Sequence, residues 1–419
     1  MQRDGVTAFQ DGSPQPWDES DIASVPYWVY QRPEVLAREH EQVFRGRTWN
    51  FLCLAAEVAT PGRFRTCRMG DMPVVVSRDG QGLLHAFENR CAHRGALIVL
   101  EDEGQARDFT CVYHAWRYDL SGGLQSIAFE GGVQGKGGMP PGFCRDTIGP
   151  RRLRVAEIHG LVFGSLAWDA PPIDEYLGPE VLAKLARVLH KPVEVLGRYT
   201  QSLPNNWKLY AENTKDTYHA SLLHTFFTTF RITRLTQDGG VTVSPDGAHH
   251  ASATHHRALQ GQEAAYAAQQ IRTESDRLQL AAPGFLESVD EFGDGVVVQI
   301  LSVFPGFVLQ QIHNCLAVRQ IVPEGVERTS LHWTFIGFAD DTPALRQMRL
   351  LQGNLVGPAG YVSMEDGAVG GFVQRGIAAA PDERATILMG GTGCESQGNR
   401  ATESSVRGFW RAWRALTGY

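Results

Sequence analysis

The 419-residue sequence lacks three features that would assign it to a broad class of proteins. It contains no apolar run of about 18 or more residues, so no membrane span is expected. The formal net charge is −7, and no basic stripe is available to bind nucleic acid phosphates. The amino-terminal 26 residues are polar and lack the basic and apolar regions of a secretory signal. The sequence therefore predicts a cytoplasmic protein that binds neither membranes nor nucleic acid.

Cysteine is scarce as well, with seven residues at mostly wide spacings. An odd and sparse set does not form a disulfide scaffold, and it favours a reducing compartment. Two of the seven, Cys91 and Cys111, belong to a metal-binding pattern. The others lie singly among apolar or small neighbours, so we expect them to be packed thiols: Cys53, Cys67, Cys144, Cys315 and Cys394.

Changes of sequence pattern along the chain predict three segments, in keeping with its length. Residues 1–48 predict an arm with a short helix near 33–44. Residues 49–167 contain short β-branched runs separated by Gly and Asp turns, which indicates a small all-β domain. Residues 168–419 combine strand patterns with helical periodicity, which predicts an α+β domain built on a large sheet.

The carboxy-terminal segment can be divided further by its periodicity. A helical pattern covers residues 206–230. Residues 296–322 predict two long strands, and residues 330–338 predict a third. The intervening stretch 231–282 is polar and irregular, which suggests a lid. Its clustered histidines are predicted to be solvated loop residues: His249, His250, His255 and His256.

The strongest local signal is a repeated Cys-to-His pair. Cys91 and His93 are separated by one residue, and Cys111 and His114 by two, with seventeen residues between the pairs. A Rieske [2Fe–2S] cluster has two Cys on one iron and two His on the other, so each loop should donate one of each. A structural zinc site is the alternative, although zinc motifs usually group cysteines on one loop. Trp116 could cover such a cluster from water.

A second constellation suits a mononuclear iron site. His219 and His224 are five residues apart, a spacing that needs a π-type widening or a break in the helix to bring both rings together. Two His and one carboxylate form the facial triad of non-haem Fe(II) oxygenases. The candidate carboxylates are Asp366 and its neighbour Glu365.

With these motifs the chain resembles the large subunits of Rieske non-haem iron ring-hydroxylating oxygenases over nearly its whole length. The residues that carry the resemblance are 88–97, 137–140, 204–210 and 363–376. The resemblance implies a Rieske domain inserted near the amino terminus of a helix-grip catalytic domain. It also favours Asp366 as the third iron ligand, because the family's ligand directly precedes a glycine.

The resemblance further implies cofactors, partners and catalytic residues. A [2Fe–2S] cluster and Fe(II) would receive NADH-derived electrons through a separate reductase, and O2 would be the co-substrate. Large subunits form trimers, commonly with three small (beta) subunits in an α3β3 hexamer. Asp216 would bridge His219 to a cluster histidine, His114, of a neighbouring subunit, and Asn213 is a further candidate catalytic residue. Family members often have an acidic residue where this chain has Ala368.

Two arginines are candidates for binding a substrate carboxylate, because a guanidinium binds it with two parallel hydrogen bonds. Arg319 lies in a strand pattern that is apolar on both faces, with no acid nearby in sequence. A structural ion pair with a distant acid is the alternative. Arg400, just before the last helix, matches an arginine of terephthalate-type family members by resemblance, although it could be a surface-loop residue.

The function expected is cis-dihydroxylation of an aromatic carboxylate. Because two cations at opposite ends of a slot would select a para-dicarboxylate, terephthalate and its 1,2-cis-dihydrodiol are the preferred substrate and product. The alternatives within the family are salicylate and anthranilate hydroxylation. Outside it, the alternatives are a Rieske electron carrier without oxygenase activity and a ligand-binding module.

Overall fold

The computed structural model describes residues 17–18, 21–230, 232–255, 265–266, 268–269 and 279–419, and its amino-terminal half contains three small antiparallel sheets. The first sheet has the order β10-β11-β2: β2 Asn50–Leu54, β10 Arg154–Ile158, β11 Leu161–Ser165. The second has the order β5-β4-β3-β6: β3 Arg63–Met69, β4 Met72–Arg78, β5 Leu84–Glu88, β6 Glu103–Gln105. The third is the ladder β7 Phe109–Thr110, β8 Arg117–Tyr118, β9 Leu124–Ser126.

The rest of the chain is organised by one seven-stranded antiparallel sheet of order β12-β18-β17-β16-β15-β14-β13. Its strands are β12 Val193–Leu203, β13 Gly239–Val243, β14 His250–His255, β15 Val296–Val303, β16 Phe307–Ile312, β17 Cys315–Gly325 and β18 Arg328–Phe338. The fold is therefore α+β with a large antiparallel sheet, as predicted.

Eight α-helices pack around this sheet in the described part of the chain: α1 Pro33–Glu39, α2 Ile173–Val188, α3 Trp207–Asn213, α4 Ala220–Leu223, α5 Thr225–Thr229, α6 Pro343–Val356, α7 Ser363–Ile377 and α8 Ser404–Thr417. Local sequence sets their starts: Asn206 caps α3 by accepting from the Lys208 N–H, and Thr342 caps α6. None of these helices is long and apolar enough to cross a membrane.

Alternation along the strands gives the large sheet two apolar faces. Ala317 and Ile321 of β17 face the core that contains α3 and α8, whereas Leu316 and Val318 face the core that contains α2 and β11. The strand that carries Arg319 is therefore buried on both sides, as its sequence predicts. The amino-terminal arm joins the same domain, because β1 Ser24–Pro26 pairs with β19 Arg384–Thr386.

The prediction for the segment 231–282 is wrong where it is described. Two strands of the large sheet, β13 and β14, lie in it. His249 and His250 are fully buried rather than solvated: the His249 ring bonds the Tyr176 carbonyl and the Phe304 N–H. His255 ends β14 and is half-buried, and His256 lies outside the described residues.

Three smaller predictions also need correction. The pattern over 206–230 is not one helix but three short ones, and 296–322 holds three strands rather than two. Turns at 304–306 and 313–314 divide this segment into its three strands. Among the predicted packed thiols, Cys53, Cys315 and Cys394 are buried, Cys67 is half-buried, and Cys144 is exposed in a loop.

A buried ion pair links the amino-terminal arm to α3, the helix that precedes the candidate iron site, and to α8. Glu39 and Lys208 are both fully buried, 2.7 Å apart. The Glu39 carboxylate also accepts from the indole N–H groups of Trp207 at 2.7 Å and Trp413 at 2.8 Å. Burial lowers the pKa of Lys208, and the Glu39 charge acts in the opposite direction. One carboxylate thus holds α1, α3 and α8 together.

Replacing Lys208 with Met should lower the free energy of unfolding by about 3–5 kcal/mol, because it leaves the buried Glu39 charge unpaired. The double variant Glu39→Gln, Lys208→Met should recover part of that loss. Lys191→Met is the matched control, since its pair with Asp340 is exposed and worth about 0–1 kcal/mol. Chemical denaturation measures all three, and equal losses for Lys208→Met and Lys191→Met would contradict the prediction.

Candidate metal centres and substrate cavity

Two loops of the small domain have the same backbone geometry and carry the repeated Cys-to-His pairs. The Cys91 N–H donates to the Ala96 carbonyl at 2.7 Å, and the Cys111 N–H donates to the Trp116 carbonyl at 2.9 Å. Gly95 supplies a left-handed turn residue, with φ of +78°. The sequence therefore builds two matching loops that present their donors toward each other.

Within these loops the sulfur and nitrogen donors differ in exposure. Cys91 and Cys111 are buried, whereas His93 and His114 are exposed, with ring centroids 4.5 Å apart. Trp116 is buried and stacks on the His93 ring at 4.8 Å, so it shields one side of the site. The arrangement offers two thiols inside and two imidazoles at the surface.

This donor set fits a two-iron cluster better than a single zinc ion. Among the described residues, only another group of three donors is gathered closely enough to surround one ion. The four donors of the small domain are more widely spread, and a [2Fe–2S] cluster needs two sulfur ligands on one iron and two nitrogen ligands on the other. The Tyr118 hydroxyl, 3.2 Å from the Cys91 sulfur, adds a hydrogen bond of the kind that tunes such clusters.

The compact donor group consists of His219, His224 and Asp366, whose ligand atoms all lie within 4.8 Å of one another. One carboxylate oxygen of Asp366 lies 3.4 Å from His219 Nε2 and 3.2 Å from His224 Nε2. Two imidazoles and one carboxylate facing a common point are the ligands of a non-haem iron. These side chains could therefore hold Fe(II).

A broken helix brings the two histidines together. After α3 ends, the Asp216 carboxylate accepts from the N–H groups of Tyr218 at 2.8 Å and His219 at 3.4 Å, which starts α4. His224 then leaves helical geometry, with ψ of 89°, between α4 and α5. Of the two solutions expected for the five-residue spacing, the structure uses the break.

Each imidazole is oriented by an outer carboxylate on its Nδ1 side. Asp216 lies 3.1 Å from Nδ1 of His219, and Glu365 lies 2.9 Å from Nδ1 of His224. Such partners fix the tautomer and direct Nε2 toward a metal. The sequence left Glu365 as the alternative to Asp366 for the third iron ligand. In the structure Glu365 contacts His224 at Nδ1, on the side of the ring away from the candidate iron position. Its adjacency to Asp366 on α7 was the only sequence signal for that position.

Glycines allow α7 to bring Asp366 this close to β12 and α3. A methyl group at Gly370 would overlap the Asn205 amide, and one at Gly371 would lie 3.0 Å from the Pro204 ring. Beside the carboxylate, the Asn213 amide nitrogen donates to Asp366 at 3.2 Å and lies 3.5 Å from His219 Nε2. Asn213 therefore touches two of the three candidate ligands.

The charges of this group are strongly coupled. Burial alone would raise the pKa of Asp366, but the His224 and His219 rings hold it far below its usual range. Burial lowers the pKa of His219, and the Asp216 and Asp366 carboxylates outweigh it and raise that pKa to about 10. A bound cation would take the place of the protons on these imidazoles.

A cavity opens beside the candidate iron ligands. It lies between one face of the large sheet and the loops after α3 and before α7. Its apolar lining includes Phe227, Val298, Ile300, Ile312 and Val362, and both candidate arginines also line it. The structure thus brings the predicted metal and substrate residues to one cavity.

Arg319 is buried with no acidic partner among the described residues. One guanidinium nitrogen donates to the Tyr210 hydroxyl at 2.7 Å, and the group lies 4.7 Å over the Trp333 ring. Within the described part of the chain its Nε has no hydrogen-bond partner. A structural ion pair, the alternative expected from the sequence, is therefore not seen in the described part of the chain.

Arg400 is only 4% exposed, so it is not a surface-loop residue. It donates to the Thr233 hydroxyl at 2.8 Å and to the Arg234 carbonyl, while its Nε has no partner among the described residues. Burial lowers the pKa of the guanidinium to about 10. Like Arg319, it presents positive charge to the cavity.

The two metal centres are not joined by a hydrogen bond within the described residues of one chain. The Asp216 carboxylate bonds only its own loop and His219, and neither His93 nor His114 reaches it. Asp216 and His219 remain 24% and 20% exposed. A contact between Asp216 and a cluster histidine would therefore require a second subunit.

Comparison with known proteins agrees with both centres. Residues 48–134 match the Rieske [2Fe-2S] domain, and residues 185–418 match the ring hydroxylating alpha subunit catalytic domain. The chain is 54% identical to the alpha 2 subunit of the terminal oxygenase component of terephthalate 1,2-dioxygenase from Comamonas sp., covering 96% of this chain and 97% of that one. It is 42% identical to the anthranilate 1,2-dioxygenase large subunit of Burkholderia cepacia, covering 98% and 97%.

Among solved structures, naphthalene 1,2-dioxygenase from Rhodococcus sp. matches with a TM-score of 0.78 at 20% identity, covering 94% of both chains. That likeness supports the two-domain fold. The sequence matches account for an oxidoreductase that uses a [2Fe–2S] cluster, a mononuclear iron and NADH-derived electrons. The chain therefore belongs to the family of aromatic-ring dioxygenases, as the alpha subunit of a terminal oxygenase.

Proposed function

We propose that this chain cis-dihydroxylates terephthalate, giving the 1,2-cis-dihydrodiol with O2 and NADH-derived electrons. The observation that carries the proposal is the cavity beside His219, His224 and Asp366, where Arg319 and Arg400 lack acidic partners among the described residues. Two buried cations without counter-ions favour a ligand that brings two carboxylates. The 54% identical relative that acts on terephthalate supports the same substrate.

The positions of the two arginines suit a para-dicarboxylate. Arg319 lies on β17, and the Arg400 Nε lies 3.1 Å from where a Cβ at Gly239 on β13 would be. Four strand spacings separate β13 from β17, or roughly 19 Å between strand axes. Val298 and Ile300 of β15 lie between them in the lining. Such a separation would allow a flat ring to lie between the two arginines, with one carboxylate directed to each.

In this scheme the cluster supplies electrons and the mononuclear iron supplies the oxygen chemistry. The ligands of the [2Fe–2S] cluster would be Cys91, His93, Cys111 and His114. The ligands of the mononuclear iron would be His219, His224 and Asp366. Arg319 and Arg400 fix the ring position relative to the iron ligands. Asp216 and Glu365 hold both imidazoles with Nε2 directed inward, and the apolar lining keeps water from the ring.

The assembly we propose is an α3β3 hexamer served by a separate reductase. In such a trimer, Asp216 would accept a hydrogen bond from His114 of the partner subunit. Support comes from the exposure of His114 and from the exposed edge that Asp216 and His219 retain in the single chain. The two metal centres would then be connected by one carboxylate.

Anthranilate or salicylate hydroxylation is the second candidate function. The 42% identical anthranilate dioxygenase subunit favours it. Both substrates carry a single carboxylate and would leave one of the two buried guanidinium groups without a counter-ion. For that reason we prefer terephthalate. An electron carrier alone would not account for the match of the catalytic domain over residues 185–418.

Arg319→Ala and Arg400→Ala should each raise KM for terephthalate by about tenfold or more, since each loses charge-assisted hydrogen bonds to a carboxylate. Steady-state kinetics with a compatible reductase measure the change. Arg328→Ala, an exposed arginine of β18, is the matched control and should leave KM unchanged. Unchanged kinetics in both cavity variants would reject the two-arginine model.

NADH-coupled turnover of the wild-type protein should give a cis-dihydrodiol from terephthalate and little product from benzoate, salicylate or anthranilate. The product is identified by mass spectrometry, and isophthalate and phthalate test the para geometry. Turnover of salicylate or anthranilate in place of terephthalate would contradict the terephthalate proposal and support the second candidate function.

A further inference from the structure

Gln310 is a buried polar residue of the cavity wall that the assignments above leave without a role. It lies on β16, is 1% exposed, and its amide nitrogen has no hydrogen-bond partner among the residues that the structure describes. Leaving a buried donor unpaired destabilises a protein, so such a group usually has a partner. The side chain lines the cavity, which makes a bound ligand the natural acceptor.

The adjacent residue shows what a structural glutamine looks like on this strand. Gln311 points to the opposite face of the sheet and is 3% exposed. Its amide nitrogen donates to the carbonyls of Val296 at 3.0 Å and His313 at 3.2 Å, and its oxygen accepts from Arg187 at 2.6 Å. Gln311 is therefore fully used within the fold, in contrast to Gln310.

Strand register places Gln310 beside Arg319. Gln310 is paired with Ala317 on β17, and Arg319 lies two residues further along the same face. Such diagonal neighbours have their side chains about 7–8 Å apart at the base, which long side chains can span. The Gln310 amide and the Arg319 guanidinium can therefore reach one ligand group.

The fully buried side-chain atoms of the described cavity lining that lack a hydrogen-bond partner are all nitrogens. Besides the Gln310 nitrogen they are Nε of Arg319, Nε of Arg400 and Nδ1 of His219, and the last lies against Asp216. Among the described residues that line it, no fully buried side-chain oxygen lacks a partner. Buried nitrogens without partners fit a ligand that brings acceptors, as a carboxylate does.

We propose that Gln310 is a specificity-determining residue whose amide N–H donates to the substrate carboxylate that Arg319 binds. This inference rests on the proposed function, because it deepens the recognition of an aromatic acid. A carboxylate has more lone pairs than the guanidinium alone satisfies, so the amide completes its shell. Gln310 thereby favours a carboxylate over an uncharged substituent at that end of the cavity.

The first test is Gln310→Leu in the iron-loaded protein. The dissociation constant for terephthalate, measured by equilibrium dialysis without reductase, should rise about tenfold, as should KM, with kcat little changed. The melting temperature of the substrate-free protein should stay equal or increase, because the variant removes an unpaired buried donor. A purely structural role would instead lower the melting temperature and leave the dissociation constant unchanged. Gln310→Met serves if the leucine variant folds poorly.

Gln311→Leu is the matched control, with the same residue type, strand and burial. It should lower the melting temperature, because three hydrogen bonds are lost, and leave the dissociation constant unchanged. In a double-mutant cycle, Gln310→Leu and Arg319→Gln should be non-additive, since both side chains bind one carboxylate. Additive effects would place Gln310 away from that carboxylate.

Failure of this inference and failure of the proposed function are distinguishable. If the wild-type protein hydroxylates a different aromatic acid, the terephthalate assignment is wrong, and the same Gln310→Leu comparison is made with that acid. If wild-type turnover is as proposed but Gln310→Leu binds substrate with unchanged affinity, the inference about Gln310 is overturned while the function stands.

Discussion

The contact between one Asp366 carboxylate oxygen and the Nε2 atoms of His219 and His224 is the interaction on which the rest of the site depends. Three ionisable groups meet in a buried space, and their charges can be balanced only by protons or by a cation. The outer carboxylates Asp216 and Glu365 then fix both rings from behind. The result is a chain of carboxylate, imidazole, carboxylate, imidazole and carboxylate.

Much of the surrounding architecture serves to hold that chain in place. The loop after α3 positions His219, the small residues of α7 let Asp366 approach, and the Glu39 carboxylate holds α3 against the arm and α8. One face of the large sheet supplies the cavity opposite the ligands. Arg319 enters that cavity because its strand alternates between two buried faces.

Sequence alone could predict the parts of the site that are local motifs. The two Cys-to-His pairs, the His219–His224 spacing and the α+β class depend on short-range patterns. Helix geometry required either a π-type widening or a break between the histidines, and the sequence did not decide between them. Arg319 could be selected because a charge in a doubly buried strand needs a partner.

The rest depends on contacts between residues far apart in the chain. Glu365 could not be placed behind His224 from sequence, because a one-residue difference on α7 decides which carboxylate faces the centre. His249 was predicted to be solvated because its neighbours are polar. It is instead buried, and its ring forms hydrogen bonds with the Tyr176 carbonyl and the Phe304 N–H. Gln310 and Gln311 are adjacent and identical in type, and only the sheet register distinguishes their environments.

The most direct test of the iron site is the ratio of iron to acid-labile sulfide in Asp366→Ala compared with Glu365→Ala. The wild-type protein should hold three irons for two sulfides, the sum of a [2Fe–2S] cluster and one mononuclear iron. Asp366→Ala should fall to two irons with the visible spectrum of the cluster unchanged, whereas Glu365→Ala should retain most of the third iron. Full iron content in Asp366→Ala, or loss of the third iron only in Glu365→Ala, would contradict the assignment of Asp366 as the ligand.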